Sequence, residues 1–238
     1  MKIAALLAAS FLAALVSGAA GFGGSLLLLP VASACVGAET AVPVLTIAQL
    51  MGNLARMTTG WKEIDWKSVR LFSATALPLA ALGAFGFSLL PKDWVTRGIG
   101  AALVLLVAVQ YFTKKELPKS KATLLVGGAL TGGLSGLCGS GGPIGAAVFL
   151  SLGLGPVAYI ASEAATATAM HILKTVIYSK LTNLDAGAVL LGFSMGLCMV
   201  AGTYAAKRVI QTMEKGKFRS YVAALLCVVG LSMVLFGV

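Results

Sequence analysis

Charge is the scarcest commodity in this chain. Only 11% of its 238 residues are Asp, Glu, Lys or Arg, where a soluble domain carries about 25%. That shortage, with 58% hydrophobic residues and a mean hydropathy of +0.96, excludes an ordinary soluble domain and predicts an integral membrane protein. Acids are scarcer still, 8 against 18 cations, for a net charge of +10. The cations nevertheless form no basic domain that would hold nucleic acid. They sit in short joints between apolar segments, as Lys and Arg do in cytoplasmic membrane loops. The four cysteines (Cys35, Cys138, Cys198, Cys227) include no C-x-x-C pair and lie in apolar or glycine-rich surroundings, which excludes a zinc ribbon or a disulfide framework. There is no Walker motif, no H-E-x-x-H, no nucleophile elbow and no Ser/His/Asp set. Gly21-x-Gly23 follows no strand and so is not a dinucleotide fingerprint. The chain is therefore read as a non-enzyme that needs no cofactor.

Glycine, by contrast, is plentiful, with 29 residues. The chain is organised around the break Ser17-Gly18-Ala19-Ala20-Gly21-Phe22-Gly23-Gly24-Ser25. Its echo is Ser135-Gly136-Leu137-Cys138-Gly139-Ser140-Gly141-Gly142-Pro143, 118 residues later, with the serine and all four glycines in register. Four glycines in seven positions should unwind a helix, at about 1 kcal/mol each relative to alanine. Two such breaks at matching places in two halves point to a transporter's binding site. The offset persists: Ser33 matches Ser151, Gly37 matches Gly155, Arg56 matches Lys174 and Lys62 matches Lys180, which reads as a duplication. Lys2 followed by Ile3–Val16 imitates a secretory signal, but the mid-chain copy of the break assigns this segment to the mature fold.

Apolar segments fall at Ile3–Ser17, Leu26–Cys35, Thr40–Gly60, Val69–Leu90 and Gly98–Phe112 in the first half. The second half has Thr123–Leu134, Ile144–Leu152, Pro156–Ser179, Ala186–Ala206 and Tyr221–Phe236. The basic joint Thr113–Lys121 divides them into a first membrane repeat (1–113), a cytoplasmic linker (114–121) and a second repeat (122–238). Pieces of roughly 9–15 residues beside each break are too short to cross about 30 Å of hydrocarbon, so each break is read as a re-entrant hairpin. Charge supports this. With both breaks re-entrant, twelve loop cations lie on one face (three in 62–70, four in 114–121, five in 207–219), against four on the other (Lys2, Lys92, Arg97, Lys180). With both breaks crossing, the split is an uninformative nine to seven. The predicted fold is all-α: two repeats, each one glycine-broken hairpin plus three transmembrane helices, the odd number of crossings inverting the second repeat.

In that arrangement the hairpin tips meet near the membrane's midplane. The second arms start at Gly23-Gly24-Ser25 and Gly141-Gly142-Pro143, where free N–H groups and the helix dipole suit an anion. The alternative is that the glycines serve only close helix packing. Ionisable residues within spans are functional candidates. Arg56 and Lys174 are repeat equivalents, with snorkelling to the interface as the competing reading. One turn earlier Asn53 matches His171, and Gln49 extends a polar stripe. Glu163 and His171, eight residues apart on one face, could relay protons, although a satisfied buried histidine explains the latter equally well. Glu39 reads as a solvated cap.

These residues resemble the sulfite exporter TauE/SafE family, also called the 4-toluene sulfonate uptake permeases. The resemblance rests on Gly21-Phe22-Gly23-Gly24-Ser25 with Pro30, Gly37 and Asn53, and on Gly136-Leu137-Cys138-Gly139-Ser140-Gly141-Gly142-Pro143. It implies a multi-pass carrier of the prokaryotic inner membrane for a small sulfur-containing anion such as sulfite, a sulfonate or sulfoacetate. The lipid bilayer is its surroundings and a homodimer is an allowed assembly. On this reading Gly23, Gly24, Ser25, Gly141, Gly142, Asn53, Arg56, His171 and Lys174 hold the anion, and His171 and Glu163 couple protons. The alternative is a metal or cation carrier using Glu163, His171 and Cys138, whose scatter lacks metal-site spacing.

Overall fold

The computed structural model describes residues 2–22, 24–86, 101, 104, 117–139, 141–181, 184–211 and 214–236. Among them all regular structure is helical. The helices are α1 (Lys2–Ala20), α2 (Gly24–Val36), α3 (Ala38–Thr59), α4 (Trp66–Phe85), α5 (Lys121–Cys138), α6 (Gly142–Ser151), α7 (Pro156–Leu181), α8 (Ala186–Gln211) and α9 (Lys215–Phe236). Their boundaries carry ordinary local signals. Asp65 caps α4 by accepting from Ser68 N, Ser120 caps α5 by accepting from Thr123 N, and Asp185 Oδ1 accepts from Ala188 N at the start of α8. Pro143 stands in the first turn of α6.

By length and composition three of these helices could cross a membrane: Ile3–Ala20, Trp66–Phe85 and Ala186–Arg208. α3 and α7, with 22 and 26 residues, are also long enough. Their hydropathy is lowered by Gln49, Asn53 and Arg56 and by Glu163, His171 and Lys174. The apolar segment expected at Gly98–Phe112 lies outside the described residues apart from Ala101 and Val104.

The first arms are longer than the sequence suggests, and Ile3–Ala20 is itself long enough to cross a membrane. Arm length therefore does not argue for re-entrance; the antiparallel course of the two arms of each break, described below, does. α1 continues to Ala20 and α5 to Cys138, giving 19 and 18 residues, or about 28 Å each. Gly18 and Gly136 are therefore helical, because close packing needs them bare: a Cβ on Gly18 would press on Ala206, and one on Gly136 would strike the Ala80 carbonyl. The chain turns later, at Gly21 (φ 84°) and Gly139 (φ 73°), the left-handed angles that favour glycine. The packing and breaking roles of the glycine runs thus fall on different residues.

Neighbouring residues give the directions of the helices. Gly128, Gly132 and Gly136 of α5 lie against Phe72, Ala76 and Ala80 of α4, so these helices run parallel and nearly touch backbone to backbone. Gly192, Gly196 and Met199 of α8 meet Ile47, Met51 and Gly52 of α3, also in parallel, and α1 lies along α8 with Gly18 at Thr203. Gly24 faces Gln49 halfway along α3, while α2 ends beside the start of α3. α2 therefore runs against both α3 and α1. In the second half Gly127 meets Val148 and Gly145 meets Thr131, so α6 runs against α5. Finally Gly60 meets Ala161, Arg56 pairs with Glu163, and Val42 clusters with Ile177 and Tyr178. α3 and α7 are antiparallel.

Candidate functional site

A helix that stops inside a protein leaves its last four carbonyls without intrahelical partners, at the negative end of its dipole. Here the two broken helices are finished alike. Gly21 N donates to Ser17 O (2.7 Å), and Arg56 Nη1 donates to the same oxygen (3.0 Å). Gly139 N donates to Ser135 O (3.1 Å), and Lys174 Nζ donates to that oxygen (3.3 Å) and to Ser135 Oγ (2.9 Å). Each cation lies 39 residues after the serine it holds. A tyrosine completes each end: Tyr159 Oη donates to Ala20 O and Tyr178 Oη to Gly136 O, both at 3.0 Å. Arg56 is 5% exposed and Lys174 0%, so neither snorkels to the interface.

Between the two ends lies a cavity of about 30 Å³, where one water needs on the order of 10–15 Å³. Its walls come from both halves in matched pairs: Gly24 and Gly142, Asn53 and His171, Gln49 and Ala167. Arg56, Ser25, Gly141 and Glu163 also face it, with Phe22 and Met170 as apolar walls. Arg56 Nη2 donates to Asn53 Oδ1, and Arg56 Nη1 lies 3.8 Å from Glu163 Oε2. Three buried polar atoms on the cavity's residues have no hydrogen-bond partner among the described residues: Gln49 Nε2, Glu163 Oε2 and His171 Nδ1. Such atoms are costly to bury; Gln49 and His171 also line an adjoining cavity of about 10 Å³ with Ser25, Thr46 and Gly139.

Of the residues expected to bind substrate, Gly24, Ser25, Gly141, Gly142, Asn53, Arg56 and His171 line this cavity, as does Glu163. Lys174 does not; its ammonium is turned to Ser135. Gly23 lies outside the described residues, as do the side chains of Glu39 and Cys138. Neither Gly24 nor Gly142 has a positive φ, and a Cβ on Gly142 would meet nothing nearer than Phe22 Cβ at 3.9 Å. In α6, Ile144 and Gly145 N–H groups are donated to Gly141 O and Pro143 has none, which leaves Gly142 as that first turn's amide for a ligand. Among the described residues no three of His, Cys, Asp and Glu gather as metal ligands do.

The tyrosines and serines of the helix ends escape sequence reasoning. Tyr159 and Tyr178 have no repeat counterparts, since Ala41 and Gly60 stand at the matching positions. Ser17 and Ser135 are in register, but they act chiefly through their main-chain carbonyls. The constant spacing of 39 to a buried cation is the signal that could have exposed them.

A family model described as Sulfite exporter TauE/SafE matches residues 6–233. No curated protein and no solved structure matches the chain.

Proposed function

Because the chain belongs to the sulfite exporter TauE/SafE family, a family of membrane transporters, we propose that it is a secondary carrier moving a small sulfur-containing anion by alternating access. Sulfite, a sulfonate or sulfoacetate is the substrate class, and the prokaryotic inner membrane is its place. The observation that carries this reading is the cavity itself. Arg56, the unpartnered Gln49 amide, Ser25 and Asn53 converge with the start of α6 on a space suited to a few polar atoms.

The architecture is two inverted repeats. The antiparallel course of α3 and α7, which match at the 118-residue offset, supports this, as does the folding back of both broken segments. Residues 61–70, 117–121 and 207–219 then share one face, the basic and therefore cytoplasmic one. Movement of one hairpin tip against the other opens the cavity to alternate sides, each tip being held by its cation and tyrosine.

Glu163 sets the terms of binding. A buried carboxylate requires either a cation or a proton, and Arg56 is its cation. An incoming anion competes with Glu163 for that guanidinium, so a proton on Glu163 frees Arg56 for substrate. Anion and proton therefore enter together, with His171, eight residues along the same face, as the second proton-carrying group.

The test is thermal unfolding of the purified protein with sulfite, thiosulfate, sulfoacetate and divalent metals side by side. An anion at about 100 times its Kd should add about 2.7 kcal/mol of stability. Gly142→Val, which places a branched side chain at the cavity wall where the fold has room, should abolish that gain while leaving the unliganded midpoint within a few degrees. Stabilisation by a divalent metal alone would replace the anion reading with the metal one.

A further inference from the structure

A second chamber lies on the basic side of the cavity. It measures about 20 Å³ and is lined by Gly18, Arg56, Thr59, Ile160, Thr203 and Lys207, together with Val157. Room for about one water is all it offers in this conformation. Among the described residues its lining holds two cations and two hydroxyls and no acid. Thr59 Oγ1 donates to Arg56 O, leaving the Thr203 hydroxyl, the Lys207 ammonium and the Arg56 guanidinium as donors. Arg56 lines both this chamber and the central cavity. Its planar fork of five N–H groups suits a residue that faces two spaces.

The repeat supplies an internal comparison. At the 118-residue offset Gly18, Arg56, Thr59 and Ile160 match Gly136, Lys174, Ile177 and Val42. Further along the register drifts by one residue, so that Gly202 matches Gly83 and Thr203 matches Ala84. Of those counterparts Val42 lines a small cavity of about 10 Å³ beside Thr46, Gln49 and His171, with no cation among its described walls. Val42, Ala84, Ile177 and Tyr178 form one buried apolar cluster, and the Tyr178 hydroxyl closes on Gly136 O. The residue matching Tyr178 is Gly60, against which Val157 and Ala161 pack closely. Among the described residues, the places equivalent to this cationic chamber's walls are thus held by an apolar cluster in the other half.

We propose that the Arg56–Lys207 chamber is a second anion site, on the route between the central cavity and the basic face, and that Arg56 passes the anion between the two. Tyr178 marks the opposite gate, shut in this conformation. The anionic nature of the cargo rests on the function proposed above; the position of the route does not.

The experiment uses full-length protein in detergent with Cys35, Cys138, Cys198 and Cys227 replaced by alanine and one cysteine introduced. The probes are two thiol reagents of similar size, 2-sulfonatoethyl methanethiosulfonate and its trimethylammonium analogue. Thr59→Cys should react with the sulfonate about tenfold faster than with the cation, the scale of one nearby charge at a partly wet site. Lys207→Gln should reduce that preference to about threefold or less. Ile177→Cys, in the apolar cluster, should resist both reagents. Equal rates at Thr59→Cys, no reaction there, a preference indifferent to Lys207→Gln, or an Ile177→Cys that reacts as fast would each overturn the proposal. Because labelling needs no transported substrate, it stands apart from the thermal-unfolding screen, whose failure would remove the sulfur-anion reading instead.

Discussion

Arg56 is the residue on which both the hairpin end and the cavity depend, so replacing it should expose their coupling. Arg56→Gln leaves Glu163, 4% exposed, without its cation. Breaking a buried pair costs about 3–5 kcal/mol. The lower end applies here, because the closest approach is 3.8 Å and Glu163 Oε2 takes part in no hydrogen bond. The lost charge-assisted bond to Ser17 O adds about 1.5 kcal/mol, for a total of about 4–5 kcal/mol. In a chain of this length that lowers the unfolding midpoint by about 10 °C. Glu163→Gln removes the stranded charge, so the double variant Arg56→Gln/Glu163→Gln should recover about 2–3 kcal/mol, a coupling within the range for contacting residues. Lys174→Gln is the control: among the described residues Lys174 has no carboxylate partner, so Glu163→Gln should not rescue it. The assay is a thermal unfolding scan of the parent and five purified variants: the three single substitutions and the two double variants that pair Glu163→Gln with Arg56→Gln or Lys174→Gln. Strict additivity of Arg56→Gln and Glu163→Gln would show that the pair does not carry the cavity's charge balance.

Gly132→Ala should lower stability by about 1–3 kcal/mol, because its Cβ collides with the Ala76 carbonyl. Gly133→Ala, whose Cβ among the described residues meets only Leu79 Cβ at 4.0 Å, should be neutral or slightly stabilising in the same unfolding scan. For sidedness, single cysteines at Lys62 and Ser220 should be shielded from an impermeant thiol reagent in intact cells while one at Thr96 is labelled. Lys62 is preferred to Ser68, which is buried with its hydroxyl donated to Asp65, and labelling of Ser220→Cys but not Lys62→Cys would restore a parallel arrangement of the halves. Anion affinity, read by isothermal titration across pH, should rise as pH falls, since a proton on Glu163 releases Arg56, and should be nearly flat in Glu163→Gln. A wild-type profile surviving in both Glu163→Gln and His171→Gln would end the case for proton coupling.

What the sequence could and could not disclose follows from which atoms do the work. The hairpins were legible because glycine clusters recur at one offset, and the pairing of Arg56 with Lys174 was legible for the same reason. The ends of α1 and α5 were not, because a glycine that breaks a helix and one that lets two backbones touch are the same residue. Gly136 stays helical because Ala80 lies against it, and Gly139 turns because nothing continues the helix. Only the neighbour, distant in sequence, separates the cases. The cations' partners were hidden for a related reason, since a main-chain carbonyl carries no side-chain signature. Duplication itself concealed the rest. Reading by matched pairs favours whatever the halves share, so it passed over Tyr159 and Tyr178, whose counterparts are Ala41 and Gly60, whereas Glu163, opposite Leu45, stood out only as an acid within a span. A carrier whose halves were identical would have equal energies facing either side and nothing to bias it. On the proposed carrier reading, direction and coupling reside in the unpaired residues, such as Glu163, 3.8 Å from Arg56, and Tyr178, whose hydroxyl closes on Gly136 O.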